Sequence, residues 1–167
     1  MHRSARILLP LFAIAASAFG QSDIKSLVLK HLKTSKDFTL KVANQMPDAD
    51  YGFKLTPPQM SFAEQMVHLS QEMDNFLSVL SGQKPSREKP AMDKKAVVAF
   101  IGKSYDAAID KVSKLTPDQL SKSYSTGDGM MTGAEMLMFL MDHTTHHRAS
   151  AEMYLRAKGI TPTDYEF

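Results

Sequence analysis

Apolar residues recur along this chain at helical spacing in four long segments, separated by connections rich in proline and glycine. Asp23 is a candidate N-cap for the first, which runs to about Met46 and carries Ile24, Leu27, Val28, Leu32, Phe38 and Val42 as an imperfect stripe closed by Pro47. Residues 47–60 hold Tyr51, Gly52, Phe53 and the pair Pro57-Pro58, a composition that disfavours helix and predicts an ordered, extended loop whose aromatic rings pack on the helices. Ser61 and Glu64 have capping-box spacing at the start of the second segment, which runs to about Leu80 and buries Phe62, Met66, Leu69, Met73, Phe76, Leu77 and Leu80.

After a polar loop from Gly82 to Met92, Asp93 caps a third helix that extends to about Leu115. Val97, Val98, Ile101, Tyr105, Ala108, Ile109 and Val112 form its apolar side, and Lys103, Asp106, Asp110, Lys111 and Lys114 its solvated side. Thr116, Pro117 and Asp118 start a turn, and the glycines at 127 and 129 make residues 119–131 an irregular loop or a short extended excursion. Thr132 and Glu135 repeat the capping-box spacing at the head of the last helix, which stops at Gly159. The tail from Ile160 is too short for another element, and Tyr165 and Phe167 are expected to pack on the bundle edge.

The last helix departs from an ordinary amphipathic pattern. Met136, Leu140, His143, His147 and Tyr154 share a face, so two imidazoles stand where apolar side chains belong. Four residues apart, they can aim a nitrogen each at one point; His146, about 100° around the helix, cannot join both. Buried there, each ring nitrogen needs a partner, and either a metal ion or a set of hydrogen bonds supplies one. On pattern alone His68 is a surface histidine, opposite its helix's apolar stripe among Glu64, Glu72 and Asn75, although Val67 hints at wider burial. His31 reads as a partly buried, hydrogen-bonded histidine.

Composition narrows the chemistry. With 167 residues and 43% hydrophobic content, the chain is one domain able to bury its own core. The absence of cysteine removes disulfides, thiolate ligands and a cysteine nucleophile, so any thiol must come from outside. Twelve methionines are expected to serve mostly as core filler rather than as a copper site. Arg3 and Arg6, an apolar run from Ile7 to Ala16, and small residues through Gly20 have the order of a secretory signal peptide, with cleavage after Gly20 or Ala18. The run falls short of the roughly 20 residues that span a bilayer, so no stable membrane insertion is expected once the leader is removed. Without Arg3 and Arg6 the 20 basic and 18 acidic residues balance, which gives no electrostatic footprint for nucleic acid. The expected organisation is a leader over residues 1–20, a bundle domain over 21–167, and a location in the periplasm or outside a bacterial cell.

Three landmarks together carry a family resemblance: Met46-Pro47 through Tyr51, Ser61-Phe62 with His68-Leu69, and His143 to Arg148 followed by Tyr154-Leu155-Arg156 and Gly159-Ile160. In this order, over nearly all of the chain after residue 20, they resemble the DinB-like superfamily of bacterial four-helix bundles. The resemblance implies an all-α four-helix bundle. It also implies a divalent metal, zinc or nickel, on His68, His143 and His147 beside an open cleft, with His68 at the family's first-ligand position. Some members of that superfamily are transferases or isomerases using small thiols such as bacillithiol or mycothiol. Export would separate this chain from that cytosolic pool, which gives ground to a hydrolytic or other metal-assisted role, or none, so the expected activity is a metal-dependent thiol transferase or a hydrolase acting on an unidentified small molecule. Glu64, Glu72 and Arg148 are the candidate catalytic residues; both glutamates flank His68 by one helical turn. Ala149-Ser150 stands where the family often has Gly-Gln. The alternatives are a non-enzymatic metal-binding or homodimeric interaction module, and a DNA-damage effector, which the neutral charge balance opposes.

Overall fold

The structure, a computed structural model, describes the backbone of residues 12–127 and 129–166, and side chains within those ranges from residue 24 onward. Arg3, Arg6 and the start of the expected leader lie outside the described residues, as does Phe167. Helix α1 spans Phe12–Gln45, α2 Phe62–Ser81, α3 Lys94–Lys114, α4 Pro117–Ser121 and α5 Gly133–Ala157. A hairpin of β1 (Ser123–Thr126) and β2 (Gly129–Thr132) precedes α5, with Tyr124 opposite Met131.

The four long helices form a bundle in which α1 lies against α3 and α5, and α2 against the same two. Successive helices α1 and α2 therefore sit on a diagonal, as do α3 and α5. This explains the two long connections: each must cross an end of the bundle instead of turning back beside its own helix. Over the first crossing, a single 3-10 turn (Asp48–Asp50) replaces part of the expected extended loop. Tyr51 is buried there, donates its hydroxyl to the Ala43 carbonyl at 2.8 Å and meets Phe62 edge-on at 5.1 Å. Over the second crossing, Thr116 and Gln119 form a capping box for α4, which was expected only as a turn, and the extended excursion proves to be the hairpin. Gly133 opens α5 so close to α4 that a Cβ there would stand 2.2 Å from the Gln119 carbonyl oxygen. No other residue fits that approach.

Local chemistry sets the ends of the helices. Ser61 with Glu64 and Thr132 with Glu135 form reciprocal capping boxes, and Asp93 accepts from the Ala96 amide. Gly82 closes α2 in the left-handed region at φ 68°. Four expectations need correction. Asp23 is interior to α1 rather than its cap, because the helix continues upstream to Phe12. Leu27 is exposed at 61%: it falls just off the face of α1 that buries Val28, Leu32 and Val42. Lys111 is not on a solvated face, since Asp74 of α2 pairs with it at 2.6 Å and Ser78 accepts from it at 2.9 Å. Methionines fill the core less than expected: Met46, Met66, Met73 and Met136 are buried, but Met60, Met92, Met130, Met138 and Met153 are exposed.

Candidate metal centre

Helices α2 and α5 run antiparallel, so the earlier residues of one meet the later residues of the other. His68 lies 4.5 Å from His147, ring centre to ring centre, and Phe76 lies 5.1 Å from Phe139. On each helix the functional positions recur every four residues, giving two facing rows: His68, Glu72 and Phe76 on α2, and Phe139, His143 and His147 on α5. This facing row is why His68, polar-sided on its own helix, is half-buried rather than solvated. The centroids of His143 and His147 are 4.4 Å apart, and His68 is 5.2 Å from His143.

One nitrogen from each of these three rings lies within 4.8 Å of the other two. Nε2 of His143 and Nε2 of His147 are 3.2 Å apart. Tetrahedral coordination at roughly 2.0–2.1 Å from each nitrogen sets ligand atoms about 3.3 Å apart. The α5 pair thus already has the spacing of two metal ligands, and the donor set of three imidazoles suits zinc, nickel or a similar divalent ion. His146 is exposed, with its ring edge-on to His147 at 4.9 Å and outside the convergence.

Electrostatics favour the neutral form of the two rings on α5. Burial first, then the neighbouring His143, His68 and His146, lowers the His147 pKa to about 4. Burial likewise lowers that of His143, opposed chiefly by Glu72. Neutral imidazoles are the form that ligates a cation.

A residue not singled out in the sequence sets the tautomer. Gln65, buried on α2, accepts from Nδ1 of His147 at 2.5 Å. That bond puts the His147 proton on Nδ1 and leaves the Nε2 lone pair facing the other two rings. Gln65 in turn donates to the Tyr154 hydroxyl at 3.4 Å, and Tyr154 donates to the Met60 carbonyl at 2.6 Å. The buried end of the site is thereby saturated and fixed.

The three candidate catalytic residues separate. Glu64 serves the helix cap: its carboxylate accepts from the Ser61 amide at 2.6 Å and pairs with Lys54 at 3.3 Å. The Ser61 backbone bond holds its pKa below the usual carboxylate value. Arg148 is buried on another side of α5, where it donates to Ser35 of α1 at 2.8 Å and lies 4.4 Å over the Phe38 ring. Glu72 alone sits in the row between the histidines and the phenylalanines; it accepts from Asn75 at 2.9 Å and its charge acts on His143.

Residues 19–167 match the DinB family model, and the chain belongs to the DinB family. The uncharacterised protein YjoA of Bacillus subtilis is 21% identical over 139 residues, which cover 80% of this chain and 90% of that protein. The crystal structure of this DinB-like YjoA superposes with a TM-score of 0.72 at 19% identity, covering 83% of this chain and 96% of that one. A DinB-like protein from Bacillus cereus gives 0.73 at 18%, over 83% and 95% of the two chains. YfiT from Bacillus subtilis, described as a probable metal-dependent hydrolase with an unusual four-helix bundle topology, gives 0.64 at 14%, over 95% of each chain. The likeness to these structures establishes the shared fold.

Proposed function

We infer that this protein is an exported, metal-dependent hydrolase of a small ester or amide, with His68, His143 and His147 holding the divalent ion. The single observation that carries the reading is the convergence of three imidazole nitrogens from two helices on one point. It is supported by the description of the fold relative YfiT as a probable metal-dependent hydrolase. When bound, the ion supplies a Lewis acid that polarises a carbonyl and lowers the pKa of a nucleophile, with zinc or nickel the ions that best suit the donors. Glu72 accepts the proton of that nucleophile at its carboxylate, Gln65 holds His147 in its ligating tautomer, and burial favours the uncharged form of His143 and His147. A thiol is the other nucleophile such a site activates. As the chain has no cysteine, a thiol transferase would take it as a co-substrate.

Export rests on the order of charge, apolar run and small residues before Gly20. Among the described residues, no helix is long and apolar enough to cross a membrane. Removal of residues 1–20 would leave the bundle domain from Gln21. N-terminal sequencing of the protein recovered from the cell envelope or medium tests this, and an intact leader on cytosolic protein contradicts it.

The activity is tested by presenting metal-loaded and metal-stripped protein with panels of esters, amides and thiol-plus-electrophile pairs. Metal-dependent hydrolysis, reduced a hundredfold or more in Glu72→Gln, is expected. Metal-dependent thiol conjugation without hydrolysis would reassign it as a transferase, and no metal-dependent turnover would leave a binding module.

A further inference from the structure

We propose that Phe76 and Phe139 form an apolar subsite, and that the substrate carries an aromatic or branched apolar group on its reacting carbonyl; this rests on the metal-site reading above. The two rings stand nearly perpendicular, at 77°, with centroids 5.1 Å apart. Each also borders a ligand: the His143 ring centre is 5.9 Å from Phe76 and 6.1 Å from Phe139. Both phenylalanines are half-buried, unlike Leu77, Leu137 and Leu140 beside them in sequence, which the core encloses. Part of each ring is thus left uncovered beside His143, and covering that apolar surface is favourable in proportion to its area.

The other flanks do not offer the same. Beyond His147, Gln65 and Tyr154 are buried and already hydrogen-bonded to each other, and Arg148 faces α1. On the remaining side stand the exposed His146 and Asp142, which are polar. Among the described residues, a substrate approaching the half-buried His68 and His143 meets apolar surface toward Phe76 and Phe139. Four residues of helix separate each phenylalanine from the next position in its row, a rise of about 6 Å. An aroyl group whose carbonyl lies at the histidines extends its ring along the rows toward the phenylalanines, whereas an acetyl group, with a single methyl beyond its carbonyl, falls well short of them.

Hydroxamates of different acyl size test this without relying on turnover. Zinc content is measured first, and then acetohydroxamate and benzohydroxamate are titrated into zinc-loaded protein. The expected result is at least tenfold tighter binding of benzohydroxamate by the wild type. In Phe139→Ala that preference falls below threefold, while zinc content and acetohydroxamate affinity stay as they were. Phe76→Leu, which keeps the apolar volume of the bundle, serves as the second variant and reduces the preference partially. Equal affinities in the wild type, or an undiminished preference in a folded, zinc-loaded Phe139→Ala, would overturn the subsite. Failure of the wild type to take up zinc would instead remove the metal reading, and the subsite with it.

Discussion

Nδ1 of His147 on α5 donates to Oε1 of Gln65 on α2 across 2.5 Å of buried bundle interior. The bond ties together the two helices that supply the three histidines, and it decides which His147 nitrogen faces the cluster. Replacement of Gln65 by Leu preserves bulk but leaves the Nδ1 proton without its acceptor and frees the ring to turn. Titration calorimetry of Gln65→Leu is expected to show metal affinity weakened by about 10- to 100-fold, with the stoichiometry unchanged. An affinity equal to that of the wild type would show that Gln65 does not position the ring.

Acid should weaken the metal-free protein in a definite window. His147 has a pKa of about 4 in the fold, against an ordinary value of 6.5. Between those two values the unfolded chain binds a proton that the folded chain excludes, so stability falls as pH drops from about 6.5 to about 4 and levels off below. The gap corresponds to roughly 3 kcal/mol, and the lowered pKa of His143 acts in the same direction. Urea midpoints measured across that range on metal-stripped wild type and His147→Gln check this. The wild type should lose more stability than the variant, and parallel profiles would contradict the assignment.

Arg148 is expected to matter for folding rather than for metal uptake. Its guanidinium is buried against Phe38 and donates to Ser35, whose hydroxyl also bonds Tyr105 at 2.8 Å. Arg148→Met removes a buried charge-assisted hydrogen bond, worth about 1.5–3 kcal/mol, and exposes none of the three histidines. Denaturation should register that loss while metal stoichiometry stays at about one. Loss of metal by a folded Arg148→Met protein would place the arginine in the site after all.

The helices were legible because their ends are written in short-range chemistry: Ser61 with Glu64, Asp93, Thr132 with Glu135, and Gly82. What lay across space was harder to read. His68 looked like a surface residue because a helical pattern reports one helix, and the polar row that meets it belongs to α5, some eighty residues on. Gln65 sits on the buried face beside Met66, where a polar side chain needs a partner, and that mismatch was the available signal. Arg148 falls in line with the buried Thr144, Ala151 and Leu155, so its inward direction was present in the spacing even though the neighbouring histidines drew it into the site. Short-range signals in residues 117–132 were weaker, since two glycines permit several backbones and only the α4 cap and the hairpin pairing select one.

The central claim is that side chains from two helices share one ion, and His68, alone on α2, tests it most directly. Protein purified without an affinity tag and equilibrated with zinc or nickel should retain about one equivalent by elemental analysis after exhaustive dialysis. His68→Ala, folded by circular dichroism, should retain far less. A wild type that keeps no metal, or a His68→Ala variant that keeps as much as the wild type, would contradict the account.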